Sequence, residues 1–192
     1  MPNTLSTLSA LAAVAALPLA NAQSGGCGNA SPPAGGVRTM QVNGKEREYT
    51  LYVPDTYSAE TQHKLIFGYH WLNGNMDNVV EGAYYGLEPL AAGSAVFVAP
   101  NGLNAGWANE GGEDLMFTDQ IIEEVEAELC IDQTQRYATG FSYGGGMTYA
   151  VACARAGRNP CSSQSSRSGL ADSSCRYVHG RRPHCRRRAE RL

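Results

Sequence analysis

The stretch that decides the fold is Thr139-Gly140-Phe141-Ser142-Tyr143-Gly144-Gly145-Gly146. The run 136–139 enters it and reads as a short strand. The run 143–156 leaves it and suits a helix, with Met147, Ala150, Val151 and Ala154 on its inner side. Gly140 and Gly144 stand two residues either side of Ser142, leaving the room that a sharp strand-to-helix turn requires. Gly145 and Gly146 extend that room into the first helical turn. A turn of this kind crowds the backbone and pushes the serine hydroxyl outward.

Working outward, the upstream segments agree with a layered α/β architecture. Residues 65–70 and 95–99 are short, mostly apolar runs of the kind buried on both faces of a parallel sheet. A short helix is expected over 83–92. The clearest helix is 113–130, where Leu115, Ile122, Val125 and Leu129 recur at helical spacing and Ile121 widens the stripe. Its residues Glu123, Glu124, Glu126 and Glu128 are expected to face water. Further upstream, arms at 37–42 and 46–53 flank Asn43-Gly44, a pair that accepts the positive φ of a tight hairpin. Arg47, Tyr49, Leu51 and Val53 alternate with Glu48, Thr50 and Tyr52 along the second arm. Strand, helix, strand, helix, strand, turn, helix is the order of a doubly wound, mostly parallel sheet, here with an N-terminal antiparallel hairpin.

The turn also carries chemistry. A serine hydroxyl is a poor nucleophile near neutral pH and must be presented to a general base. Ser142 is the candidate nucleophile. The helix N-terminus behind it offers free amides and a partial positive charge to a developing oxyanion. The backbone amide of Tyr143 is the expected first donor. The second is expected from the turn-rich loop Trp71-Leu72-Asn73-Gly74-Asn75, most directly from the amide of Leu72. His70 is expected to buttress that loop, because the histidine of such a triad comes last in the chain. Aromatic residues gather around these loops, and Trp71 and Trp107 are candidates for lining a substrate cleft.

The two ends of the chain differ in character. Residues 8–20 form an apolar run too short to span a bilayer, closed by Ala20-Asn21-Ala22, so residues 1–22 read as a secretory signal. A secreted, extracellular protein that does not cross a membrane is expected. In that compartment the six cysteines are disulfide candidates, and Cys130 with Cys153 is the expected pair. Cys27 is left to pair with Cys161, Cys175 or Cys185. Asn29-Ala30-Ser31 is a glycosylation sequon at Asn29 in a Gly/Pro/Ser-rich lead-in expected to be exposed over 23–36. Residues 1–156 carry 6 Lys+Arg against 16 Asp+Glu, a net of −10, whereas 157–192 carry 9 Arg and 2 acids, a net of +7. That tail has no apolar period. It reads as a disordered segment, or as the product of a frameshift or mis-splicing after about Ala156. Its cysteines and histidines fit no structural zinc spacing, so no metal is expected. The secretory signal argues against a nucleic-acid role for its arginines.

Several segments together resemble the fungal secreted feruloyl esterases of the type C group, related to the polyhydroxybutyrate-depolymerase-like esterases. They are Val42-Asn43-Gly44-Lys45 with Tyr49-Thr50-Leu51, Leu65-Ile66-Phe67-Gly68 with His70-Trp71, Phe97-Val98-Ala99-Pro100-Asn101-Gly102-Leu103-Asn104-Ala105-Gly106-Trp107, Leu129-Cys130, and Thr139 to Met147. The resemblance covers about Cys27 to Arg155. It implies an α/β-hydrolase fold and hydrolysis of feruloyl-arabinose esters in plant cell-wall xylan, or of small ferulate esters, through an acyl-enzyme and without a cofactor. On the same resemblance, residues 23–156 are the N-terminal part of an esterase domain, and the fold is expected to be truncated after the elbow helix. The family's catalytic Asp and His match nothing after Arg155, so neither role is carried over. Acetyl-xylan or polyester hydrolysis remains the alternative within esterases. A truncated, inactive chain with residual carbohydrate binding is the alternative outside them.

Overall fold

The computed structural model describes residues 22–155 and the backbone of residues 161 and 162. The predicted secretory signal, and the tail other than those two residues, lie outside the described residues. Among the described residues, no helix is long and apolar enough to cross a membrane.

The opening hairpin forms as expected. Strands β1 (Gly36–Val42) and β2 (Lys45–Tyr52) pair antiparallel, with Asn43 at φ 51° and Gly44 at φ 74° in the turn. β2 then pairs antiparallel with β4 (Ala95–Pro100). β4 runs parallel to β3 (His63–Tyr69), and β3 runs parallel to β5 (Ile131–Gly140). A two-residue strand β6 (Cys161–Ser162) adds in parallel to β5, giving the order β1-β2-β4-β3-β5-β6. The α-helices among the described residues are α1 (Met76–Glu81), α2 (Ala83–Ala91), α3 (Glu113–Glu128) and α4 (Tyr143–Ala154).

Strand alternation sorts the core into two layers. Val96 and Val98 of β4, with Leu65, Phe67 and Tyr69 of β3, face α3 and α4 through Phe117, Ile121, Val125, Met147 and Val151. Ala95, Phe97 and Ala99 point the other way and pack with Met76, Val79 and Tyr84 of α1 and α2. Every residue of β4 is buried, as a strand covered on both faces must be. β5 is longer than 136–139 because its first half lies against α3 and the lead-in.

Three expectations are corrected. Glu126 does not face water. It is buried and receives Arg136 Nε at 2.5 Å and Gln133 Nε2 at 2.7 Å, because the strand after the helix folds back beneath it. The segment 22–29 is not a loose lead-in. Ser24 Oγ donates to the Leu129 carbonyl at 2.6 Å and accepts the Ile131 amide at 2.8 Å, and the Gly26 amide donates to the Glu126 carbonyl at 2.9 Å. That seam sets Cys27 beside Cys130, and these two form a disulfide spanning 103 residues. Cys130 therefore does not pair with Cys153, which is itself disulfide-bonded elsewhere. Asn29 is half-buried on the same seam: its Nδ2 donates to the Glu128 carbonyl at 3.1 Å and its Oδ1 accepts the Ser31 amide.

Candidate active site

β3 and β5 are neighbours running in the same direction, with Tyr69 paired to Gly140 at their carboxyl ends. The chain leaves β5 through Phe141 and Ser142 into α4, and it leaves β3 through His70 into the Trp71–Asn75 loop. Sites in open α/β sheets gather at this edge.

At the β5 exit Ser142 has φ 54° and ψ −113°, a backbone state that non-glycine residues rarely adopt. Its flanking glycines are required by close approach. A methyl at Gly140 would lie 2.5 Å from the Gly144 carbonyl, and one at Gly144 would lie 2.0 Å from the Tyr69 carbonyl oxygen and 2.6 Å from that of His70. The turn thus presses its backbone directly onto the end of β3. The Gly144 amide donates to the Phe141 carbonyl at 3.0 Å, and the Gly146 amide to the Ser142 carbonyl at 3.1 Å. Tyr143 opens α4, so its amide has no acceptor within the helix.

At the β3 exit, side chains do the work that glycines do at the elbow. His70 is fully buried. Its Nδ1 donates to the Trp71 carbonyl at 2.8 Å and its Nε2 accepts the Gly102 amide at 2.9 Å, a pair of bonds that selects the neutral ring protonated on Nδ1. Burial pushes its pKa below the usual 6.5, opposed by the Trp71 carbonyl and by Asp114. The Trp107 indole donates to the His70 carbonyl at 2.8 Å. His70 therefore buttresses the loop, and both ring nitrogens are spent on it. Within the loop the Asn73 amide reaches the Ala105 carbonyl (2.8 Å) and the Gly74 amide reaches the Trp71 carbonyl (3.0 Å). Among the described residues the Leu72 amide donates to no acceptor.

Leu72 and Tyr143 converge across a cleft of about 240 Å³ lined also by Lys45, Leu103, Asn104, Trp107, Glu110 and Glu113. Their closeness is set at Gly106, where a methyl would meet the Tyr143 ring at 2.7 Å and the Leu72 side chain at 3.4 Å. Of the two candidate tryptophans, Trp107 lines this cleft although it is only 2 % exposed, and Trp71 does not line it. Part of the aromatic cluster belongs to the core: Tyr69 and Tyr84 are fully buried, and Tyr69 meets Trp107 edge-on at 5.1 Å.

Behind the cleft, Asp114, one of its lining residues, belongs to a buried ion pair that sequence reading did not single out. Arg47 Nη2 contacts Asp114 Oδ1 at 2.8 Å, with both side chains almost fully buried. Arg47 also donates to the Asn101 carbonyl and lies over the Phe117 ring at 4.2 Å. Asp114 Oδ2 accepts the Asn109 amide, while Asn109 Oδ1 accepts the amides of Asp114 and Leu115 in the first turn of α3. Burial pushes the Asp114 carboxyl above the usual range, and Arg47 opposes that rise. This pair ties β2, the 101–109 loop and α3 together, so it holds the cleft wall. The available signal was an arginine in phase with Tyr49 and Leu51, the inward face of β2.

Two of the four histidines are among the described residues, and neither is placed to take a proton from Ser142. His70 is committed to its loop. His63 begins β3, about 20 Å from the elbow at strand rise. The described residues hold no group of three or more His, Cys, Asp or Glu that could bind a metal ion.

No protein-family model matches the chain. It is 56 % identical over 158 residues to the probable feruloyl esterase C of Aspergillus niger, covering 80 % of this chain and 55 % of that protein. It is 58 % identical over 143 residues to feruloyl esterase C of Emericella nidulans, covering 72 % and 52 %. Among solved structures, the feruloyl esterase module from Clostridium thermocellum complexed with sinapinate superposes with a TM-score of 0.54 at 18 % identity, covering 67 % of this chain and 53 % of that one. The chain thus spans about half the length of the curated relatives it matches. Over most of its own length it is similar to fungal proteins named feruloyl esterase C, and it carries the α/β-hydrolase fold of its structural neighbours.

Proposed function

We propose that Ser142 is the nucleophile of a secreted serine carboxylesterase that hydrolyses ferulate-type esters, in nature those on the arabinose of plant cell-wall xylan. The observation that carries this reading is the Ser142 backbone, φ 54° and ψ −113°, held between two glycines that tolerate no methyl. A conformation of that kind costs about 1–3 kcal/mol and persists where the surroundings over-determine it. The return is a hydroxyl lifted off the sheet edge at a helix N-terminus.

In this mechanism Ser142 Oγ adds to the ester carbonyl carbon and passes its proton to a general base outside the described residues. The carbonyl oxygen, now negative, takes hydrogen bonds from the amides of Tyr143 and Leu72, two residues that line one cleft and whose amides have no competing acceptor among the described residues. Collapse expels the sugar alcohol with a proton and leaves a feruloyl-enzyme, which water then cleaves. The names of the Aspergillus and Emericella relatives support the acyl group, and the sinapinate complex of the structural neighbour supports a hydroxycinnamate. On this reading residues 1–22 direct secretion, residues 23–156 supply the N-terminal part of the esterase domain, and Trp107 backs the acyl pocket.

The test is hydrolysis of methyl ferulate by the expressed chain beside Ser142→Ala. Loss of Ser142 should remove at least about 10³-fold of the rate. Equal rates in the two proteins would exclude ester hydrolysis through Ser142.

A further inference from the structure

The turn that begins α2 is built in a costly way. Ala83, Tyr84 and Tyr85 have φ of 48°, 52° and 61°, and Gly86 has φ 76°, so four consecutive residues sit in left-handed space. Three of the four carry a β-carbon, and each such residue costs about 1–2 kcal/mol there. The turn lays two tyrosine rings against the end of β3. Gly68 lies beneath them: a methyl there would clash with Val79 at 2.6 Å and reach ordinary contact with Tyr84 at 3.4 Å and Tyr85 at 4.0 Å.

The two rings end differently. Tyr84 is fully buried, its ring tilted against Phe97 with centroids 4.8 Å apart, and its hydroxyl has no hydrogen-bond partner among the described residues. Tyr85 reaches past it and donates its hydroxyl to the Tyr69 carbonyl at 2.7 Å. That carbonyl is the oxygen against which Gly144 is pressed. Burial raises the Tyr85 pKa, and the Phe141 backbone opposes part of that rise. One hydroxyl therefore holds the carbonyl at the end of β3 on which Gly144 of the elbow rests.

We propose that Tyr85 is a positioning residue for the elbow: its hydroxyl clamps the Tyr69 carbonyl at the end of β3, the oxygen on which Gly144 rests, and so holds the turn that carries Ser142. The clamp rests on geometry alone, and its catalytic consequence rests on Ser142 being the nucleophile.

Amide hydrogen exchange on the full chain, followed by mass spectrometry, separates these two statements. In Tyr85→Phe, peptides covering 138–146 should exchange roughly five- to tenfold faster than in the unsubstituted chain, the range one neutral hydrogen bond commands. Peptides covering β4 should be unchanged. Tyr84→Phe, which removes an unpartnered hydroxyl from the same turn, should leave 138–146 unchanged. Unaltered exchange at 138–146 in Tyr85→Phe would overturn the clamp, as would equal acceleration in both variants or acceleration spread through β4. On methyl ferulate, Tyr85→Phe should lower kcat about tenfold with little change in KM. A rise in KM at constant kcat would overturn the positioning role. Equal hydrolysis by the unsubstituted chain and Ser142→Ala would instead reject Ser142, while the clamp stands or falls on the exchange result.

Discussion

Two neighbouring parallel strands end side by side in this protein, and they solve the same problem in opposite ways. β5 ends by removing side chains: Gly140 and Gly144 let the elbow backbone pack within contact distance of the Tyr69 and His70 carbonyls. β3 ends by adding one: the buried His70 ring collects the Trp71 carbonyl and the Gly102 amide, and the Trp107 indole secures its own carbonyl. The first exit is steric and tolerates no addition. The second is a hydrogen-bonded plug and tolerates no deletion. Together they place Leu72 opposite Tyr143 across the cleft.

The comparison breaks most sharply at Gly144. Gly144→Ala would drive a methyl to 2.0 Å from a backbone oxygen that cannot rotate away. We expect a loss of about 3 kcal/mol or more in denaturant unfolding, at the upper end of overpacking effects. A loss below 1 kcal/mol would mean that the two strand ends are not pressed together.

At the other exit, His70→Ala deletes two hydrogen bonds and leaves a buried void. A loss of about 2–3 kcal/mol is expected from unsatisfied Trp71 and Gly102 groups plus the cavity. His70→Gln, which can still donate and accept, should recover part of it. Identical losses in the two variants would argue that packing and not hydrogen bonding makes the plug.

The smallest effect is a pH dependence that only the His70 exit should show. Burial lowers the folded-state pKa of His70 below the unfolded value of 6.5, so between the two values the unfolded chain binds the extra proton. Stability from this group is therefore fully present above pH 6.5 and declines as pH falls toward the folded pKa. One proton limits the slope to about 1.4 kcal/mol per pH unit. Unfolding curves between pH 7.5 and 5 should show this decline in the unsubstituted chain, and His70→Gln should lack His70's share of it. An unchanged slope in the variant would place the titration on another group.

Much of this arrangement was legible because it is written in local pattern. The hairpin at Asn43-Gly44, the doubly buried run of β4, the apolar stripe of α3 and the glycine spacing around Ser142 each state a backbone demand within a few residues of where it applies. The same holds for His70, whose place between an apolar strand and a turn-rich loop pointed to a buttress. What escaped was carried by partners distant in sequence. The pairing of Cys27 with Cys130 depends on Ser24 bridging the junction of α3 and β5. Glu126 looked like one of several solvated acids until Arg136 and Gln133 folded beneath it. α1 and the left-handed turn at Ala83 carry no periodic signal, because a turn of helix is too short to show one and positive φ at alanine or tyrosine contradicts propensity.

By itself, then, the sequence determined the layer order, the hairpin and the elbow, since each follows from the steric and hydrophobic needs of neighbouring residues. Only the tertiary structure decided that the elbow rests on the Tyr69 and His70 carbonyls, that Arg47 and Asp114 hold the cleft wall, and that Tyr85 meets the carbonyl at the end of β3. Contacts of that kind pair single polar groups across dozens of residues, and no run of neighbouring residues encodes which group will be there to meet them.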